Sequence, residues 1–294
     1  VEETVTGNDI GPYDRLVRWF FSPLPNARVV IFRKIVYAFV FVDVLFTTRW
    51  VAAHAEAPRS FYQPLLVARL LHLPVPTSTS IVALEIALLV AAAVALFFGS
   101  SRVAGATVFV LYLAWMFVAM SYGKVDHDRF AFLIALAVLP TVGAGEDGES
   151  DAAGWAVRCI QLAVVATYFF AAFAKLRFGG IEWLNGGTLL WATLRRGTFL
   201  ADPLLAHPWT LHVGQYLLVG FELASPLLLV PGRVGRWFLA GAFVFHLVTY
   251  ATITIIFLPH IVCLLAFLPL EQLRGRTFWI RRKEGAEAPS FGTL

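Results

Sequence analysis

The sequence predicts an all-α fold: a polytopic membrane helix bundle of about eight transmembrane helices, with interfacial or re-entrant helices between some of them. Three observations predict it. Of 294 residues, 59% are hydrophobic and only 14% charged, with 26 Phe and 9 Trp, and the mean hydropathy is +0.74. A soluble domain carries about 25% charged residues, so this chain could not cover its own surface with polar groups. The apolar residues are gathered into runs bounded by turn signals. At about 20 apolar residues per crossing, eight helices take about 160 residues, and the remainder suffices for connections and tails but not for a large soluble domain.

Taken in order, residues 1–25 form an N-terminal cytoplasmic and interfacial segment. Arg15, Arg18, Trp19, Phe20 and Phe21 suit a helix lying in the headgroup region. The acidic, polar start VEETVTGNDIGPYD has neither the basic residues nor the short apolar run of a cleaved signal peptide, and none is expected. Residues 26–272 form the transmembrane domain, with spans at about 29–48, 79–98, 103–121, 129–143, 154–174, 210–230, 236–256 and 258–272. Between the first two, Pro58, Pro64, Pro74 and Pro76 surround the apolar stretch FYQPLLVARLLHL, which reads as re-entrant or surface-lying. A second such insert occupies 186–208, and residues 273–294 form a basic cytoplasmic tail. The basic residues near the span ends favour both termini inside.

The net charge of +4 does not indicate nucleic acid, because the Lys and Arg residues are spread singly along apolar sequence and suit anionic lipid headgroups. Cys159 and Cys263 lie within apolar runs and read as buried thiols. No phosphate loop, metal-ligand spacing or nucleophile elbow is present, and no metal is expected.

Ionisable groups inside a span cost about 2.5–3.5 kcal/mol on insertion scales, so each needs a partner or a task. Asp43, Glu85 and Glu222 are expected to make inter-helix hydrogen bonds or ion pairs. The expected topology gathers His127, Lys175 and His260 at one depth near the outer face, with His246 midway along the seventh span. A lysine pressed into an apolar site loses part of its preference for the charged form, and a neutral amine there could act as a general base.

Four segments carry a resemblance: PNARVVIFRKIVYAFVFVDV, DHDRFAFLIAL, YFFAAFAKLRFGGIEWLNGG and FHLVTYATITIIFLPHIVCL, in this order. Together they resemble the transmembrane part of vitamin K-dependent gamma-glutamyl carboxylase, a unit that recurs in bacteria as the HTTM domain. The most specific piece is the aromatic run ending in Lys175 and followed by Trp183-x-x-Gly186. The resemblance implies that Lys175 deprotonates a reduced naphthoquinone, vitamin K hydroquinone or menaquinol, with His127 beside it. Dioxygen would be the co-substrate of the resulting epoxidation. It further implies that His246, Asp126, Trp183 and His260 contribute to the quinone site. Asp126 stands where the carboxylase has Asn. The carboxylase also has a large lumenal domain, absent from these residues. Carboxylation, with carbon dioxide as a further co-substrate, would therefore need a peptide substrate presented by a second protein. Besides membrane lipids and quinone, no other partner is implied. A non-catalytic quinone- or lipid-binding module and a membrane assembly subunit are the alternatives.

Overall fold

The computed structural model describes residues 11–98, 101–143, 145 and 147–273, and these are helical almost throughout, as the all-α expectation requires. The basic tail lies outside the described residues. Helix α1 (Pro12–Phe20) starts on a proline, whose fixed φ suits a first helical turn, and buries none of its residues. Helix α2 (Asn26–Val42) runs on into a π-helical turn, Asp43–Thr47. The first insert holds short 3-10 turns over Arg49–Glu56 and Arg59–Phe61, then α3 (Leu66–Leu70). Then come α4 (Ser78–Phe97), α5 (Arg102–Ala119), α6 (Phe130–Val138) and α7 (Asp151–Gly179). The second insert is α8 (Glu182–Asn185), α9 (Thr188–Arg196) and α10 (Asp202–Ala206). Helices α11 (Pro208–Leu223), α12 (Arg233–Ile253) and α13 (Leu258–Leu264) complete the bundle.

Among the described residues four helices, α4, α5, α7 and α12, are long and apolar enough to cross a membrane. The other four expected spans give shorter helices, and proline explains two of them. Helix α6 has nine residues, about 14 Å at about 1.5 Å per residue, against a hydrocarbon core of about 30 Å. Pro140, in the 3-10 turn that follows, ends it. Helix α11 stops ahead of the 3-10 turn Ser225–Leu229, which contains Pro226, and α13 starts on Leu258-Pro259, where its span was expected to start, after the non-helical residues 254–257. Helix α2 passes into its π-helical turn at Asp43. The fifth expected span is instead longer than its apolar run: α7 has 29 residues and places Lys175 a turn inside its end.

The packing of α4 shows how the apolar excess is spent. Ile81, Leu88, Ala92 and Ala95 make one buried stripe, while Val82, Ile86, Val90 and Phe97 on the other side are 50–81% exposed. A helix apolar all round has no face for water. Small residues on the inner stripe allow close approach of α5. On α5, Gly105 faces the Tyr37 hydroxyl and Pro140 so closely that a Cβ would collide with both.

Contacts define two ends of the bundle. At one, Leu24–Pro25 pairs antiparallel with Glu149–Ser150, and Arg28 donates to both carboxylate oxygens of Glu271 at 2.7 Å. At the other, the Gln63 N–H bonds the Ser121 carbonyl, and the Thr198 N–H bonds the Thr252 carbonyl. There α12 ends at Thr254, a non-glycine residue with φ of 55°. The Thr198 hydroxyl also donates to the Ala251 carbonyl at 2.5 Å. One turn of the second insert thus caps two carbonyls that the helix end leaves open.

Candidate functional site

The second end of the bundle holds the site. From α7, Lys175 Nζ donates to both carboxylate oxygens of Glu222 on α11, at 2.7 and 2.8 Å. The side chains are 22% and 8% exposed respectively. The Trp183 ring lies 5.5 Å from the same amine, close enough for a cation–π contact.

Trp183 is held from below by Gln215, which is almost fully buried on α11. Its Nε2 donates to the carbonyls of Trp183, Leu184 and Gly186, at 3.2, 2.6 and 3.0 Å. Its Oε1 accepts from the Leu189 N–H at 2.7 Å. One side chain therefore satisfies the end of α8 and the start of α9. That fixes the Trp183-x-x-Gly186 segment against α11.

A cavity of about 240 Å³ adjoins the Lys175–Glu222 pair and is also lined by His127, Asp128, Tyr168, His246, Phe257 and His260. Tyr168 is its hub. Its hydroxyl shares a 2.7 Å hydrogen bond with His246 Nε2, and its ring meets His260 edge-on at 4.4 Å. His260 is 2% exposed. Among the described residues, His246 Nδ1 and both ring nitrogens of His260 are buried without a hydrogen-bond partner. Such nitrogens beside a cavity suit a ligand with polar edges.

Two larger cavities share walls with this one. An apolar cavity of about 570 Å³ between α9, α11 and α12 has Leu218, Phe245, Thr249 and Ile253 in common with it. A polar cavity of about 610 Å³ shares His127, Asp128, Ile255 and Phe257 and is further lined by Lys124, Asp126, Arg129 and Arg196. Behind the polar cavity, Asp43 is fully buried. It accepts from the Tyr112 hydroxyl at 2.7 Å, from the Thr47 hydroxyl and from Arg129 at 3.2 Å. Arg129 also lies 3.3 Å from Asp126 and 3.4 Å from Asp128, and Lys124 reaches Asp126 at 2.7 Å. Burial pushes the Asp128 carboxyl up to about 6. Burial, helped by the nearby Lys175 charge, holds the His127 imidazole below its ordinary value.

Of the residues singled out from the sequence, Lys175, His127, His246 and His260 line one cavity. Trp183 touches Lys175 rather than the cavity wall. Asp126 lies in the polar cavity, paired with Lys124 and Arg129. Glu222, expected only to pair across helices, is the direct partner of Lys175. Tyr168, Asp128 and Gln215 were not singled out. Tyr168 and Asp128 carried a signal, since each stands within a segment that bears the resemblance. Gln215, a buried amide inside an apolar run, carried a weaker one. Among the described residues no cluster of His, Cys, Asp and Glu forms a candidate metal site. Comparison with protein-family models, curated proteins and solved structures gives no match.

Proposed function

We propose that the protein is an integral membrane enzyme of the HTTM type that binds a reduced naphthoquinone and removes a proton from its ring hydroxyl. The observation that carries this reading is the Lys175–Glu222 pair at the wall of a cavity that three imidazoles, the Tyr168 phenol and the Asp128 carboxyl also line. The unpartnered nitrogens of His246 and His260 fit a ligand with oxygens on its ring, and the adjoining apolar cavity fits a long hydrocarbon tail. When bound, the quinol supplies an acidic hydroxyl and a ring that dioxygen converts to the epoxide.

The residues' part is proton handling. A lysine ammonium cannot accept a proton while it holds three of its own. In the pair it hands one N–H proton to a Glu222 oxygen and takes the substrate's proton on Nζ, ending as ammonium beside a neutral carboxyl. His127, neutral at pH 7, orients the hydroxyl from the polar side. Tyr168 holds His246 in one orientation through their shared hydrogen bond, and Trp183 covers the amine.

The proposed topology has eight crossings. The four short helices complete spans whose ends are extended by 3-10 or π turns. The end carrying Arg28, Arg33 and Arg158 faces the cytoplasm with both termini, and the site faces outward. Carboxylation of a peptide glutamate is the further step that the resemblance implies, with carbon dioxide and a second protein as participants.

In purified protein supplied with menaquinol or vitamin K hydroquinone, Lys175→Ala is expected to lower oxygen-dependent quinol consumption on the order of 10²-fold or more. Oxidation at the wild-type rate would overturn the role of this lysine. One observation favours a second reading as a non-catalytic binding module, namely that the amine is already neutralised by Glu222. Recovery of quinol unchanged after aerobic incubation would select that reading.

A further inference from the structure

A base in a cavity walled by aromatic rings must release its proton before the next turnover, and the structure places one carboxylate where that release can occur. His127 and Asp128 are the titratable residues that line both the 240 Å³ cavity and the polar 610 Å³ cavity. The charges around Asp128 are unequal in number. Three carboxylates, Asp43, Asp126 and Asp128, share two cations, Lys124 and Arg129. Asp43 is held by Tyr112, Thr47 and Arg129, and Asp126 by both cations. Asp128 has the longest ion pair of the set, 3.4 Å to Arg129. With all three ionised, the cluster carries one negative charge in excess, which is capacity for one proton. Across the smaller cavity Asp128 faces Lys175 and Glu222 from α7 and α11, and His246 and His260 from α12 and α13. His260 is itself buried and unpartnered on that wall.

We infer that Asp128 is a proton-relay residue, which takes the proton from the Lys175–Glu222 pair by way of His127 and passes it to water in the polar cavity. The inference rests on the proposed quinol deprotonation. The steps balance. Glu222 gives up its carboxyl proton, and one imidazole nitrogen of His127 gains it while the other loses one to an Asp128 oxygen. Asp128 then releases that proton to water as hydronium, and no electron moves. Asp128 lines the cavity wall but acts on the proton through His127, exchanging none with the substrate directly. Its ionised form is the one that accepts, so turnover must rise with pH as the carboxyl ionises.

The test has one readout without quinol and one with it. In infrared difference spectra of the purified, quinol-free protein, a protonated-carboxyl band is expected to vanish with a midpoint of about 6 and to be missing from Asp128→Asn. With quinol, kcat of the wild type is expected to rise through the same pH range and then level. Asp128→Asn is expected to lose that limb and to lower kcat on the order of 10-fold or more with KM unchanged, and Asp128→Glu to restore most of it. An unchanged carboxyl band in Asp128→Asn, or a wild-type kcat and pH profile in that variant, overturns the relay. A wild type that consumes no quinol, whatever its infrared titration, overturns the functional reading first and the relay with it.

Discussion

Lys175 and Glu222 meet as opposite charges in surroundings made of rings and aliphatic chains, so each is tolerated because of the other. Removing one partner leaves an uncompensated charge, at a cost of about 3–5 kcal/mol for fully buried pairs; the 22% exposure of Lys175 places this case toward the lower figure. Glu222→Ala is therefore expected to destabilise the protein by about 3 kcal/mol. The double substitution Lys175→Met with Glu222→Leu should regain most of that loss, since apolar groups of similar volume often replace such pairs without cost. Thermal unfolding in detergent measures both. A double variant as unstable as Glu222→Ala would mean that local packing, not charge, sets the penalty. The sequence made Lys175 and the histidines conspicuous, because an ionisable group in an apolar run needs a reason to be there. It could not name the partner. Glu222 is 47 residues away, and only the packing of α11 on α7 brings them together. Tyr168 was hidden differently: a tyrosine among phenylalanines reads as one more ring until its hydroxyl is seen on His246.

The elements around the site are defined as much by their interruptions as by their lengths. Apolar runs located α4, α5, α7 and α12 closely, since such runs are long and uniform. The same criterion overestimated the fourth and eighth spans, where proline ends or starts a short helix and 3-10 turns carry the chain on. The π-helical turn at Asp43 was equally invisible to hydropathy, though it places that carboxylate on Arg129 and Tyr112. Gln215 illustrates what holds an insert in place without an apolar face. Gln215→Leu keeps the volume and removes the partners of three carbonyls and one N–H. A buried polar group left unsatisfied costs about 1–3 kcal/mol, and relaxation toward solvent reduces the sum, so a net loss of about 2–4 kcal/mol is expected. Because Gln215 also sets the position of Trp183, the variant should raise the KM for quinol more than it lowers kcat. An unchanged melting temperature with unchanged KM would show that α8 and α9 hold their place without it.

At the scale of the whole molecule, the two ends of the bundle differ in what their chemistry can meet. One carries Arg28, paired with Glu271, and Arg158, over the Trp19 ring, beside the paired segments Leu24–Pro25 and Glu149–Ser150. The other opens the polar cavity through Lys124 and Arg196. The pairing of Leu24–Pro25 with Glu149–Ser150 also bears on the acidic connection 143–154, whose charge alone argues against a cytoplasmic place. Antiparallel hydrogen bonding puts Glu149–Ser150 at the same end as the start of α2, whatever the charge, so the two must share one side of any membrane the bundle crosses. Single cysteines at Lys124, Arg196 and Glu149 test the arrangement in cells, in a background where Cys159 and Cys263 are replaced by serine or alanine. Lys124→Cys and Arg196→Cys are expected to react with a membrane-impermeant maleimide added outside intact cells, and Glu149→Cys only after permeabilisation. Labelling of Glu149→Cys from outside together with protection of the other two would invert the orientation and leave the fold intact. Labelling of all three from one side would instead mean that the short helices do not cross, and that the two ends of the bundle are not separated by a bilayer.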